Sequence, residues 1–310
     1  MNVHQPTAGA VVTLTRPEVL RIQRAIALAV VLLPLLGTIL ALVLWFRNGI
    51  HAIELASLVA MYLLSMLGVT VGLHRYFAHR SFKTGRFMQI FLAVAGSMAA
   101  QGPILFWVST HRRHHAHSDH EGDPHSPNLH GDGLAGTMRG LWHAHIGWMF
   151  EGSLADVAHY ARDILRDRTL LRIHQTYLLW VSLGLALPAL AGGLITGTLE
   201  GAFVAFLWGG LVRIFLVNHA SWCVGSVCHR FGTRPFDTRD NSANNYTVAL
   251  LAFGEGLQNN HHAFPASYRH AVYWWQPDLS AWVICLMKYL GLAWALRAPS
   301  AQDVRNARLR

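Results

Sequence analysis

His111-Arg112-Arg113-His114-His115 is the stretch on which the reading of this chain turns. Its imidazoles stand at i, i+3 and i+4, offsets that share one face of a helix. Such a face can ligate a transition metal, because neutral imidazole nitrogen is a good ligand for iron, copper or zinc. Two more clusters have the same character: His74-Arg75-Tyr76-Phe77-Ala78-His79 and Gln258-Asn259-Asn260-His261-His262. The expectation is a scaffold that brings all three together at a membrane surface.

Composition supports the membrane. Of 310 residues, 53% are hydrophobic and only 13% charged, against about 25% charged in soluble domains. Mean hydropathy is +0.29. The chain reads as one integral membrane domain, residues 21–296, not as two soluble domains. Its net charge of +9 fits Lys and Arg gathered in cytoplasmic loops by the positive-inside rule, and no nucleic-acid partner is expected. An acidic redox partner could dock on the same face. Cys223, Cys228 and Cys285 form no CxxC pair, and an odd number argues against a disulfide framework. Any metal chemistry therefore belongs to histidine.

Residues 1–20 lack apolar periodicity and read as a flexible cytoplasmic tail. Apolar runs over residues 25–46, 52–73, 174–195 and 200–219 are each long enough to cross a bilayer, which takes about 20 residues. The first run is too long for a signal peptide and no clear cleavage site follows it. Residues 87–108 are also apolar, interrupted by Gly96, Gly102 and Pro103. A full span there would put the first two histidine clusters on opposite sides. A re-entrant or interfacial hairpin keeps them together, since protein can bury non-helical backbone at membrane depth.

Residues 111–170 are polar, with amphipathic helices expected near 135–150 and 153–168, and residues 220–272 form a second polar region. Residues 273–296, with Trp274, Trp275, Trp282 and Trp294, read as an interfacial helix. Residues 297–310 form a basic tail. The linker from Gly192 to Gly201 carries no Lys or Arg, so both termini and all three clusters are expected in the cytoplasm. The fold class is an all-α integral membrane protein: four transmembrane helices under a cytoplasmic helical cap that holds a histidine-rich dimetal site.

Isolated histidines such as His4, His51, His159 and His174 read as surface or packing residues, and His117, His120, His125 and His130 mostly as loop or supporting residues. The doublets differ. Adjacent imidazoles repel when charged and are costly to desolvate unless something binds them. A haem takes one or two axial histidines, and structural zinc takes four ligands, usually with cysteine. Three clusters supply too many ligands for one metal and suit two. A cysteine-free dimetal site in a membrane points to iron activating dioxygen, with an alkyl chain as substrate.

The boxes HxxxxH at 74–79, HxxHH at 111–115 and the stretch Gly254–His262 resemble those of membrane-bound fatty-acid desaturases, especially the stearoyl-type Δ9 branch and its bacterial acyl-lipid relatives. Asp123-Pro124-His125, Gly140-Leu141-Trp142-His143-Ala144-His145-Ile146-Gly147-Trp148, Ser226-Val227-Cys228-His229, Arg234-Pro235-Phe236-Asp237 and Asn259–Pro265 agree with it. The resemblance covers roughly residues 50–275. It implies four transmembrane helices under a cytosolic cap, a kinked acyl tunnel and two Fe ions held by histidines and a water-bridged asparagine. By matching position the ligands are His74, His79, His111, His114, His115, His229, His261 and His262. Asp123, His125, Trp142, His145, Trp148, Asn218, His219, Gly225 and Asn259 are candidates for supporting or substrate-contacting roles.

Three positions depart from the family pattern. Gln258 stands where the third box usually opens with His; glutamine can ligate through its amide oxygen but is a poorer iron ligand. Gly225 stands where the asparagine is common, and Asn218, His219 or another nearby group would have to compensate. Ser109 and Thr110 replace the Arg-Asp pair of animal acyl-CoA enzymes, which adds weight to an acyl-lipid or acyl-carrier-protein substrate over acyl-CoA. The expected reaction is oxygen-dependent, Δ9-like formation of a cis double bond. Acyl-chain hydroxylation or acetylenation are the alternatives on this scaffold, and a non-catalytic metal-binding membrane protein is the alternative outside it. There is no His-Pro-Gly-Gly or flavin motif, so a separate ferredoxin, cytochrome or flavodoxin is expected to deliver electrons. The expected location is a bacterial inner membrane.

Overall fold

A computed structural model describes residues 11–308. The expected tail over residues 1–10, with His4, and the last two residues of the basic tail lie outside it. Four helices among the described residues are long and apolar enough to cross a membrane: Pro17–Asn48, Ala52–Ala78, Tyr177–Thr196 and Leu199–His229. The first and third turn most of their Leu and Ile side chains outward, with Leu33, Leu36, Leu178, Leu190 and Leu194 exposed. Apolar surface of that extent has no partner in water. The chain is a membrane protein.

The second and fourth spans run further than their apolar runs, out to Ala78 and His229. Each contains a stretch of wider helix with i to i+5 hydrogen bonds, Gly68–Ala78 and Leu207–Val212. Gly68 and Gly72 let a neighbouring helix approach the first stretch closely. A Cβ on Gly68 would sit 2.4 Å from the backbone of Ala95, and one on Gly72 2.9 Å from the Leu92 carbonyl oxygen. The backbone of the neighbouring helix therefore packs directly against this one.

That neighbour is the first arm of the expected hairpin. Arg86–Met98 and Ile104–His117 are two short helices joined by a turn in which Ala100 (φ 60°) and Gly102 (φ 102°) are left-handed. The hairpin returns the chain to the side it left, so the first two histidine boxes face one volume. Arg213, fully buried in the fourth span, pins it. Its guanidinium donates to the Met98 carbonyl (2.6 Å), the Gly184 carbonyl (2.8 Å) and the Gly209 carbonyl (3.1 Å). Met98 ends a helix, where the last carbonyls lack intrahelical donors. Gly184 lies four residues before Pro188, which has no N–H to give it.

Outside the bundle the expectations need revision. Helix Gly133–His145 and a short turn at Gly147–Phe150 fill the first amphipathic region. The second is not one helix. Ser153–Ala155 pairs as an antiparallel strand with Val12–Leu14, and only single turns follow at Val157–Tyr160 and Arg162–Leu165. Residues 11–20 are accordingly not a tail: they supply that strand and the start of the first span. The interfacial helix shortens to Leu279–Tyr289, begun by Asp278 accepting from the Ala281 N–H (3.0 Å), with Trp274 almost fully exposed before it. Within the basic tail, Ala301–Ala307 is helical, started by a Ser300–Asp303 capping box.

Replacing Arg213 by methionine leaves the Met98 and Gly184 carbonyls without their donor. It should cost about 2 kcal/mol or more, read as a lower melting temperature of the detergent-solubilised protein.

Candidate metal centre

His74 and His79 are five residues apart. In an α-helix that spacing would point them about 140° apart. In the wider helix the His79 N–H bonds the His74 carbonyl at 3.0 Å, and the two rings meet at 4.8 Å. On Ile104–His117, His111 and His115 point one way and His114 another. His261 and His262, adjacent on the short helix Gln258–Ala263, diverge in the same manner. His229 ends the fourth span. Two groups made only of histidine result: His74, His79, His111, His115 and His261 in one, His114, His229 and His262 in the other, with ligand atoms inside each within 4.8 Å of one another; His74 with Glu255 and His270, and His114 with Asp123 and His125, form two further groups that include a carboxylate. All the histidines expected as ligands are brought together, five in one group and three in the other.

The ring nitrogens converge. Nε2 of His79 lies 2.7 Å from Nε2 of His111, and Nε2 of His261 lies 3.0 Å from that of His115 and 3.1 Å from that of His74. Carboxylates decide which nitrogen is bare. Asp123 accepts from Nδ1 of His114 through both oxygens at 3.0 Å, and Asp119 from Nδ1 of His229 at 2.8 Å. Asp240 holds Nδ1 of His262, and Glu255 that of His74. A ring that donates Nδ1–H presents an unprotonated Nε2. Bare nitrogens this close repel unless a cation lies among them, and Nε2 of His114 is buried with no hydrogen-bond partner. The residues fit metal ions.

Gln258 belongs to the smaller group. Its amide nitrogen lies 3.0 Å from Nε2 of His262 and 3.3 Å from that of His229, while its oxygen is buried without a partner. Amide oxygen and nitrogen exchange places by a half-turn, which would aim a neutral oxygen donor at the same point.

The protonation pattern agrees. Burial, then the neighbouring imidazoles, hold His79, His111, His115 and His261 well below the usual histidine range. Burial takes His262 down to about 4 even though Asp240 opposes it. His114 is the exception: burial lowers it, but Asp123 raises it further. Asp119, Asp123, Asp240 and Glu255 fall below the ordinary carboxylate range, burial being outweighed by their imidazole partners.

Other expected site residues divide. Asp123 anchors His114. His125 stacks on His114 at 4.5 Å, and Trp148 stands edge-on to His125 at 5.5 Å. Trp142 is 63% exposed and does not line the cavity beside the histidine groups, because its helix turns that face outward. His145 pairs with His219 (3.0 Å) and Ser226 (2.9 Å), and neither histidine belongs to the two groups. Asn218 is buried with both amide atoms unpartnered. Asn259 is a structural clamp whose amide brackets the Phe236 backbone. Sequence reasoning passed over Asp119, Asp240, Glu255 and His270. A carboxylate within a few residues of each box was the available signal for Asp119 and Glu255; nothing local marks Asp240. His270 is fully buried, its ring tilted against that of His261 with centroids 4.4 Å apart.

A cavity of about 130 Å³ opens against both groups, lined by His111, His114 and Gln258 and by the apolar walls Phe106, Trp107 and Trp148. Trp107 stacks on His111 at 5.1 Å. The model of a family described as fatty acid desaturase matches residues 49–296, the stretch that contains every one of these groups. The chain belongs to that family. It is an enzyme acting on fatty acyl chains. Similar proteins include a hex-5-enoyl-(acyl-carrier protein) acetylenase of Moorena producens, 46% identical over 279 residues, 89% of this chain and 87% of that one. An sn-1 stearoyl-lipid 9-desaturase of Anabaena variabilis is 40% identical over 229 residues, 73% of this chain and 77% of that one. An acyl-CoA C20 Delta5-desaturase of Anemone leveillei is 40% identical over 239 residues, 76% and 70%.

Two outcomes follow for this desaturase. Asp119→Asn should weaken metal retention by about 10- to 100-fold, read by competition with a chelator. The metal-free protein should lose stability on acidification. The depressed histidines bind protons more readily when unfolded, so their contribution is complete above 6.5 and fades as pH falls towards about 4, the value of His262. A pH series of melting temperatures checks the sign.

Proposed function

We propose that this desaturase removes two hydrogens from adjacent carbons of a fatty acyl chain at a di-iron centre. The five-plus-three grouping of imidazoles beside an apolar cavity carries the reading. The ligands are His74, His79, His111, His115 and His261 for one ion, and His114, His229, His262 and Gln258 for the other. Imidazole suits iron as it suits zinc or copper; iron is chosen because the reaction consumes dioxygen. When bound and reduced by two electrons, the pair supplies activation of dioxygen towards an unactivated methylene. The balance is one O2, two electrons and two protons, with the two hydrogens of the chain, giving an alkene and two waters.

The chain's own residues position and protect. Asp123, Asp119, Asp240 and Glu255 keep the proton on Nδ1 of their histidines, so that Nε2 faces the ions. Phe106, Trp107 and Trp148 wall the cavity with apolar surface, exclude water and hold one carbon pair against the centre. The boxes face the cytoplasm in a bacterial inner membrane, where a separate ferredoxin, cytochrome or flavodoxin delivers electrons to a basic surface.

A second reading has one observation in its favour. The relative that is 46% identical across 89% of this chain is named an acetylenase acting on a hexenoyl chain on acyl-carrier protein. On that reading the substrate already holds a double bond and leaves with a triple bond. Acyl-carrier protein or lipid is the preferred carrier on either reading.

Expression in a lipid-making host, with gas chromatography of the fatty acids, tests the proposal. The wild type should give an oxygen-dependent alkene or alkyne, and His114→Ala none. Supplying saturated and terminally unsaturated chains on acyl-carrier protein separates the two readings. Purified protein with stoichiometric zinc and no product in any of these would overturn both.

A further inference from the structure

The two groups of imidazoles are unequal, and the poorer one has an unassigned neighbour. His114, His229 and His262 with Gln258 offer fewer nitrogens than the five of the other group. His125 lies beside them. Its ring stacks on His114 at 4.5 Å and 25°. Its backbone N–H donates to Oδ1 of Asp123 at 3.0 Å, the carboxylate that also holds Nδ1 of His114. One acid thus fixes both residues. Trp148 closes the outer side of the ring, and the ring lines the cavity together with His114, Gly225 and Gln258.

Two observations give this ring a task. Its Nδ1 is buried and makes no hydrogen bond, a cost that packing alone does not explain. And the fourth span makes room for it. A Cβ at Gly225 would stand 3.3 Å from that Nδ1 and 3.6 Å from Cε1 of the same ring, with nothing else inside 4 Å. His125 occupies the space a side chain at 225 would need, one helical turn before His229.

His125 groups with His114 and Asp123, its Nδ1 4.0 Å from Oδ1 of Asp123, and not directly with His229 and His262. We infer that Nδ1 of His125 holds a water bound to the metal ion of the His114, His229 and His262 group, and that residue 225 is glycine to leave room for it. His125 is then a positioning residue that completes the poorer site. The inference rests on the dimetal reading above.

The experiment loads the full-length, detergent-solubilised protein with Fe(II) and follows iron per chain against a competing chelator. The wild type should release its irons in two steps. His125→Phe keeps a stacking ring without nitrogen, and should weaken the more loosely held iron by about 10- to 100-fold while the other is unmoved. His125→Gln, which keeps a polar end, should hold it near the wild-type level. Gly225→Asn alone should crowd the imidazole and weaken that iron. In His125→Ala the same asparagine should restore it, because its amide enters the vacated space. Unchanged release from His125→Phe overturns the inference and leaves the dimetal reading standing. So does failure of Gly225→Asn to rescue a folded His125→Ala protein. A wild type that binds fewer than two irons overturns the dimetal reading itself.

Discussion

The controlling constraint is electrostatic. The imidazoles of the centre share one buried volume, and their bare nitrogens approach within about 3 Å. Such a cluster resists charging, because burial and mutual repulsion both oppose protonation, and only His114 beside Asp123 departs from this. Nor can it stay randomly protonated, because each ring must present the correct nitrogen. The four carboxylates at Nδ1 solve the second problem for His74, His114, His229 and His262. They are themselves buried, and each is satisfied by the imidazole that it orients. Asp119 shows how fully: it accepts from His229, Ser126, Asn128 and the Asn241 backbone.

Those acids need anchors in turn. Glu255 is shared between His74 and Arg75, and Arg75 also pairs with Asp278 at 2.8 Å. Asp278 accepts from the backbone N–H groups of His270 and Ala271, and caps the helix that follows. A path of buried pairs therefore runs from the first box, through the third, to the start of the helix Leu279–Tyr289. Breaking a buried pair is far costlier than never having made it. The cap over the bundle is held by the same interactions that tune the centre, so its stability and its chemistry are difficult to separate.

Membrane and centre also meet at Arg213. A guanidinium in an apolar bundle is costly unless its donors are used. Here it serves carbonyls that a helix end and a proline leave free. It thereby ties the hairpin to the third and fourth spans.

The sequence by itself determined the spans, the hairpin, the family and the histidines that meet. Continuous apolar runs must leave water wherever they fold, and the box spacing is a local property of a helix. Only the tertiary structure decided how those histidines divide. The HxxxxH spacing works through the wider helix at Gly68–Ala78, which depends on close backbone contact with residues 92–96. Asp240 reaches His262 across a loop, and His125 fills the space beside Gly225 from a loop more than ninety residues away. Pairings between distant segments leave no local pattern, because burial and charge select them only after the chain has packed.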